Sequence, residues 1–229
     1  MVPVGEIAPE RRGVNARTSA QRARQLADKV AEIRACRICI EQPNGKPLPH
    51  EPRPVVVPSA TAPIMIVGQA PGTRVHESGK PFTDRSGDRL REWLGVTNDE
   101  FYNTDNFAIV PMGFCFPGLD AKGGDLPPRR ECAAAWRAGL MAAMPQIDLM
   151  LVIGQYAQSW HLGIKGKQSV TDTVRDWRAY AEKNSAPLII PLPHPSWRNT
   201  GWLKANPWFG DELLPVLQQA VSERIVRQG

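Results

Sequence analysis

The 229-residue sequence predicts an α/β fold in three layers, with helices on both faces of a central four-stranded parallel sheet. Three observations carry that expectation. Four short apolar runs, Ile64–Val67, Phe107–Met112, Leu149–Ile153 and Leu188–Pro191, have the length and flanking turns of buried strands. Segments with helical spacing lie between them, near 87–94, 129–144, 155–162 and 171–182, and an amphipathic stretch closes the chain at about 211–226. Strands alternating with helices make a parallel sheet covered on both sides, because each parallel connection must cross back over a face.

Before the first strand, residues 1–17 are rich in Pro, Arg and Gly without periodicity and predict a flexible arm, which leaves 18–229 as a single domain. Thr18 or Ser19 can cap a helix carrying Leu26, Val30 and Ile33 and running into Cys36. Residues 40–63 are proline-rich and predict an extended connection. The composition, 42% hydrophobic and 22% charged, is that of an ordinary globular chain. The net charge is +5, and 20 of the 28 cationic residues are Arg, whose planar donor fork suits phosphates and so leans towards a polyanionic partner. No run approaches the ~18 apolar residues of a membrane span, and residues 1–13 lack the apolar core of a secretion signal, so a cytoplasmic location is expected. In that compartment, four cysteines are thiols or metal ligands rather than disulfides.

In open parallel sheets, ligands sit beyond the carboxyl ends of the strands. The informative segments all follow strands: Gly68–Gly72, Gly113–Gly118, Gly154–Tyr156 and His194–Asn199. The first reads Gly68-Gln69-Ala70-Pro71-Gly72, with Gly79-Lys80-Pro81-Phe82-Thr83-Asp84 shortly after it. Its glycines let a ligand approach the backbone, and Pro71 stiffens the turn. A phosphate loop is the competing reading, but the Gly-Lys-Ser/Thr ending and the three-glycine dinucleotide fingerprint are both missing. The last segment reads Pro193-His194-Pro195-Ser196-Trp197-Arg198-Asn199, a histidine held on a rigid loop between two prolines. Cys36-Arg37-Ile38-Cys39 is a Cys-x-x-Cys pair, with Cys115 and Cys132 further on. By themselves these cysteines suit an iron–sulfur cluster, zinc or packing as free thiols.

Taken together, the Gly-Gln-x-Pro-Gly turn, Gly-Lys-Pro-Phe, His-Pro-Ser-x-Arg-Asn and the four cysteines resemble the uracil-DNA glycosylase superfamily, specifically its iron–sulfur bacterial and archaeal branches (family 4 and family 5-like). The resemblance runs from about Cys36 to about Phe209. It implies a uracil-DNA glycosylase-like fold and hydrolysis of the N-glycosidic bond of uracil in single- or double-stranded DNA by base flipping and water attack. It also implies a monomer and a [4Fe–4S] cluster on Cys36, Cys39, Cys115 and Cys132.

For the site residues, the resemblance implies that His194 donates to the developing oxyanion of the base and that Phe82 stacks on it. Gly68, Ala70 and Met112 would touch the base. Pro71, Gly72, Ser196, Trp197, Arg198 and Asn199 would touch DNA, with phosphate contacts from Arg74, Arg85 and Lys204. The sequence departs from the family in two places. Gln69 stands where the cluster-containing branch has a glutamate; it can orient water but not act as a base. Asp84 becomes the candidate carboxylate near the sugar, with Asp88 second or else a helix cap. Pro111 stands where related enzymes often carry an asparagine that reads uracil, so the amides of Met112–Phe114 are the substitute. Tight binding of uracil or abasic DNA with slow turnover, or action on another deaminated base, is the alternative activity.

Overall fold

A computed structural model describes residues 10–164, 166–183 and 187–225, with side chains from residue 20 onward. The first helix, α1 (Glu10–Arg34), begins within the stretch predicted as an arm; residues 1–9 lie outside the described part. A single turn, α2 (Ile38–Glu41), follows, and then the extended connection. The sheet is formed by β1 (Ile64–Val67), β2 (Phe107–Ile109), β3 (Leu149–Ile153) and β4 (Leu188–Leu192). The strand order is β2-β1-β3-β4, and every pairing is parallel.

Because side chains alternate across a strand, the sheet divides its apolar residues between two cores. Ile64, Ile66, Leu149, Leu151, Ile190 and Leu192 face one cluster. There they meet α4 (Arg85–Leu94), α5 (Asn98–Tyr102), residues from α8 (Val170–Arg175) and α9 (Trp177–Lys183), and α11 (Leu214–Ser222). Met65, Val67, Met150, Val152 and Ile189 face the other cluster, with α1, α6 (Arg130–Ala143) and α7 (Gly154–His161). This is the predicted α/β/α sandwich.

Other predicted boundaries move as well. β2 stops at Ile109, not Met112, because Met112 N–H turns back to Gly68 O (2.9 Å) and the buried Arg137 takes the carbonyls of Val110 and Pro111. The stretch 171–182 is broken at Asp176 into α8 and α9. The closing helix opens with a wide π turn, Phe209–Leu213, before Pro215 fits the first turn of α11, where its missing N–H costs nothing. Short helices such as α3 (Thr73–Ser78) and α10 (Thr200–Ala205) escaped the sequence reading because six residues show no periodicity. The connection after β1 runs to one side of the sheet and the connection after β3 to the other, so a crevice opens at their carboxyl ends.

Candidate active site

A cleft of about 290 Å³ opens there. It is lined by the Gly68–Gly72 turn after β1, Phe82 and Asp84 ahead of α4, Pro111 after β2, Asp125, and His194 after β4. A second recess of about 280 Å³ shares Asp84, Asp125 and His194 and extends to Arg85, Ser196, Trp197 and Arg198. Of the four segments expected at this edge, Gly154–Tyr156 turns at once into α7, and Gly113–Gly118 leads towards the cysteines, so neither lines the cleft.

Phe82 is held in an unusual way. Its φ is 56°, the only left-handed value at a non-glycine among the described residues. A phenylalanine does not adopt that conformation without support. The support comes from its carbonyl, which accepts from Tyr102 Oη (2.9 Å) and Arg91 Nη1 (3.3 Å). Gly87 makes room: a Cβ there would stand 1.8 Å from Phe82 O. The Phe82 ring packs edge-on against Phe101, with centroids 6.0 Å apart, and presents its other side to the cleft beside Gly68.

His194 is fixed by its own loop. Ser196 N–H donates to its Nδ1 (3.1 Å), and Asn199 Nδ2 donates to its carbonyl (2.7 Å). Arg89 of α4 reaches Ser196 O (2.9 Å) and Thr200 Oγ1 (3.2 Å), clamping the same loop to the sheet edge. An Nδ1 that accepts leaves the proton of a neutral ring on Nε2. Burial among the cleft walls lowers the histidine's pKa, against the opposing pull of Asp84 and Asp125. The residue is nevertheless exposed to solvent at the cleft mouth. His194 is therefore a neutral N–H donor at neutral pH.

Asp84 has a structural duty the sequence reading assigned to Asp88. Its Oδ1 caps α4, accepting from Ser86 N (3.2 Å), Gly87 N (3.3 Å) and Ser86 Oγ (2.5 Å). Asp88 instead pairs with Arg91 at 2.7 Å, one turn along. Gln69 donates through Nε2 to Leu126 O at 3.4 Å. Ala70, Pro71 and Gly72 line the cleft. Met112 does not: its side chain is buried in the core, its N–H is spent on Gly68 O, and the neighbouring Gly113 N–H on Gln69 O (2.9 Å). Those amides hold the turn in place and are not free to read a ligand.

The loop after His194 divides its labour. Trp197 is 65% exposed beside Arg198, whose guanidinium lies 6.0 Å from the Trp197 ring, and both border the second recess with Ser196. Asn199 points inward to hold His194 rather than outward. Arg74 lines the cleft and Arg85 the recess, whereas Lys204 lines neither. Trp202 and Trp208 pack against Phe209 and donate to Thr171 Oγ1 (2.7 Å) and Asn206 Oδ1 (3.1 Å), as supports of this loop.

Asp125 was missed in the sequence. It stands in Gly123-Gly124-Asp125-Leu126-Pro127-Pro128, which matches no motif. The one available signal was its place, one of two carboxylates (with Asp120) in a glycine-rich loop after a strand. Burial raises its pKa above the usual carboxylate range; Asp84 adds to the rise, while His194 and Arg198 oppose it.

Cys36, Cys39, Cys115 and Cys132 line a single small space with Ile33, Phe114 and Trp136. Trp136 Nε1 donates to Cys36 Sγ (3.4 Å) and Phe114 N to Cys132 Sγ (3.4 Å). Burial pushes the Cys39 thiol up to about 11 and Cys115 and Cys132 up to about 12. Among the described residues, no three His, Cys, Asp or Glu side chains are grouped to hold a single metal ion.

The family pattern described as "Uracil DNA glycosylase superfamily" matches residues 54–218, and so takes in the cleft, Asp125 and the His194 loop. The type-4 uracil-DNA glycosylase of Pyrobaculum aerophilum is 34% identical over 118 residues, 45% of this chain. The match covers 56% of that curated relative, so the chain spans about half its length. The crystal structure of wild-type Pedobacter heparinus SMUG2 aligns with 70% of this chain and 76% of its own, at 13% identity and a TM-score of 0.39. The family pattern spans well over half the chain, and this protein belongs to the uracil-DNA glycosylase superfamily.

Proposed function

We propose that the protein is a monofunctional DNA glycosylase that removes uracil from DNA, using water as nucleophile and leaving an abasic site. The observation that carries this reading is that His194 lines one cleft with the Gly68–Gly72 turn and Phe82, as a neutral ring whose proton lies on Nε2. Breaking an N-glycosidic bond sends negative charge onto the base and positive charge onto the sugar. His194 Nε2–H donates to the base oxygen that becomes anionic. Phe82 stacks on the flipped base, a contact worth about 1–3 kcal/mol. The face of Asp84 not engaged in capping α4 lends negative potential to the cationic sugar. Gln69 orients water through its amide.

Gly68 and Ala70 flank the base, and Pro71, Gly72, Ser196, Trp197 and Arg198 meet the strand, Trp197 filling the gap that the flipped nucleotide leaves. No helix among the described residues is long and apolar enough to cross a membrane. A cytoplasmic monomer, with 18–229 as its one domain and the residues before it as an appended arm, completes the reading.

The cysteine site fits a [4Fe–4S] cluster held by Cys36, Cys39, Cys115 and Cys132. Four sulfurs border one apolar space, and two of them receive N–H donors suited to thiolate charge. Such a group would cross-link the end of α1 and α2 to α6 and the chain after β2, away from the cleft.

The test uses oligonucleotides carrying one uracil, hypoxanthine or xanthine, followed by alkali to cut abasic sites. Repeated turnover on uracil is expected, with His194→Ala slower by about 10²–10³-fold. Cleavage of hypoxanthine or xanthine alone would move the base preference and keep the class. Gln69 in place of an acid favours a second reading, tight binding with slow turnover; a burst of one product per protein is its signature. No cleavage of any of the three overturns the glycosylase reading.

A further inference from the structure

Gln69 occupies the place in the turn where a water-activating acid is expected, yet a second carboxylate does face the cleft. We propose that Asp125 is the base that activates the attacking water, brought to the site on the hairpin Gly118–Leu126 in place of an acid at position 69. This rests on the glycosylase reading above and names the residue that accepts the proton.

Four features of the structure point to Asp125. It lines both recesses, with His194 and Asp84, at the junction where a sugar bridging base pocket and strand groove would lie. Its carboxylate sits against the turn: a Cβ on Gly72 would come within 3.3 Å of Asp125 Oδ2, so glycine there keeps the space open. The hairpin that carries it is built to be stiff. Asp120 Oδ1 accepts from Lys122 N (2.8 Å) and Gly124 N (2.9 Å), Asp120 N donates to Gly124 O (2.8 Å), and Leu126 N donates to Gly118 O (3.0 Å). Finally, Gln69 holds this hairpin through Leu126 O, one residue from Asp125. The side chain that lost the acid now ties down the loop that supplies one.

Asp125 also suits proton acceptance better than Asp84 does. Three donors converge on Asp84 Oδ1 and commit it to capping α4, whereas the Asp125 carboxylate accepts no hydrogen bond from any described residue. The balance of the step is simple. As the water oxygen bonds to C1′, one of its protons passes to the Asp125 carboxylate. The bond from C1′ to the base nitrogen breaks, and its electron pair leaves with the base, whose oxyanion is held by His194 Nε2–H. The base anion then takes a proton from solvent and Asp125 returns its own to solvent. The products are the free base and an abasic sugar bearing a 1′-hydroxyl, at the expense of one water.

The experiment measures single-turnover cleavage of uracil DNA by wild type, Asp125→Asn and Asp125→Ser across pH 4–8 (about the range in which carboxylates titrate). The charged groups facing Asp125 are Asp84 at the start of α4 and His194 and Arg198 on the loop after β4; Arg74 lines the same cleft from α3. Wild type is expected to gain rate as pH rises through the Asp125 ionisation and then level off. Both variants are expected to be slower by about a hundredfold or more at the plateau, to lose that acid limb, and to bind uracil DNA as wild type does. The hairpin is at the surface, and circular dichroism at the assay temperature establishes that both variants are folded; should one not fold, the other decides. A folded variant with wild-type rate and an intact acid limb overturns the assignment while leaving the glycosylase reading standing. Wild type that cleaves nothing overturns that reading and this one with it.

Discussion

At the scale of single residues, the cleft depends on groups that do no chemistry. Gly87 is the sharpest case, because only the absence of a Cβ lets Phe82 O approach the first turn of α4. Gly87→Ala is expected to cost about 2–4 kcal/mol of stability, read from the urea midpoint, and to weaken uracil-DNA binding as Phe82 is displaced. Asp84 and Asn199 carry a related lesson. Both were singled out in the sequence for contacts with substrate, and both spend part or all of their side chain on positioning, one as a helix cap and the other as the clasp on His194 O. Sequence shows which residue types a loop holds but not which way each faces. The cleft positions of His194 and Phe82 were legible because they sit in rigid, patterned surroundings. That of Asp125 was not, because its place in the cleft comes from a hairpin folding back across the chain onto a turn about fifty residues earlier.

Elements show how the site's walls are held from behind. Arg137 of α6 is buried and donates to the carbonyls of Val110 and Pro111, the latter lining the cleft, while its Nη1 meets His161 Nε2 at 3.1 Å. Burial first, and the Arg137 charge second, push the His161 pKa down to about 3. Unfolded, the same ring titrates near its ordinary value of 6.5. The unfolded chain therefore binds the extra proton as pH falls below 6.5, and the stability contributed by a neutral His161 is lost progressively from there down towards 3. Between pH 7 and pH 5, wild type is expected to lose about 1–2 kcal/mol more than His161→Gln, measured by urea unfolding at each pH. Arg89 plays the matching part for the other wall. Arg89→Ala frees the Ser196 and Thr200 contacts and is expected to slow cleavage by about tenfold with a stability loss of only about 1 kcal/mol.

Across the whole molecule, the sheet was readable in advance and its fine boundaries were not. Four apolar runs in the right rhythm gave a parallel sheet, since burial on both faces leaves a continuous hydrophobic signature. The early end of β2 was hidden because it follows from Arg137, a residue twenty-eight positions beyond it. The four cysteines belong to this scale too, because they bring the turn after α1 and α2 against α6 and the chain after β2 around one space. Purified protein is expected to be brown, with iron and inorganic sulfide in equal amounts. Cys132→Ser is expected to lose the colour and lower the thermal midpoint by several degrees, while any activity left in the folded fraction keeps the wild-type pH profile. A colourless wild type prepared without oxygen would remove the cluster from the account.

The hairpin Gly118–Leu126 has one more consequence. Its amides at 120, 122, 123, 124 and 126 are bonded within the hairpin itself, without help from a ligand. Amides so engaged exchange more slowly than free ones, and these are expected to show some protection before any DNA is added, unlike those of a loop that orders on contact. Disorder given up during folding does not have to be given up again at association. On the glycosylase reading, affinity for a damaged strand should then carry little penalty for arranging this part of the site, and the encounter rate should follow ionic strength and base opening rather than loop closure.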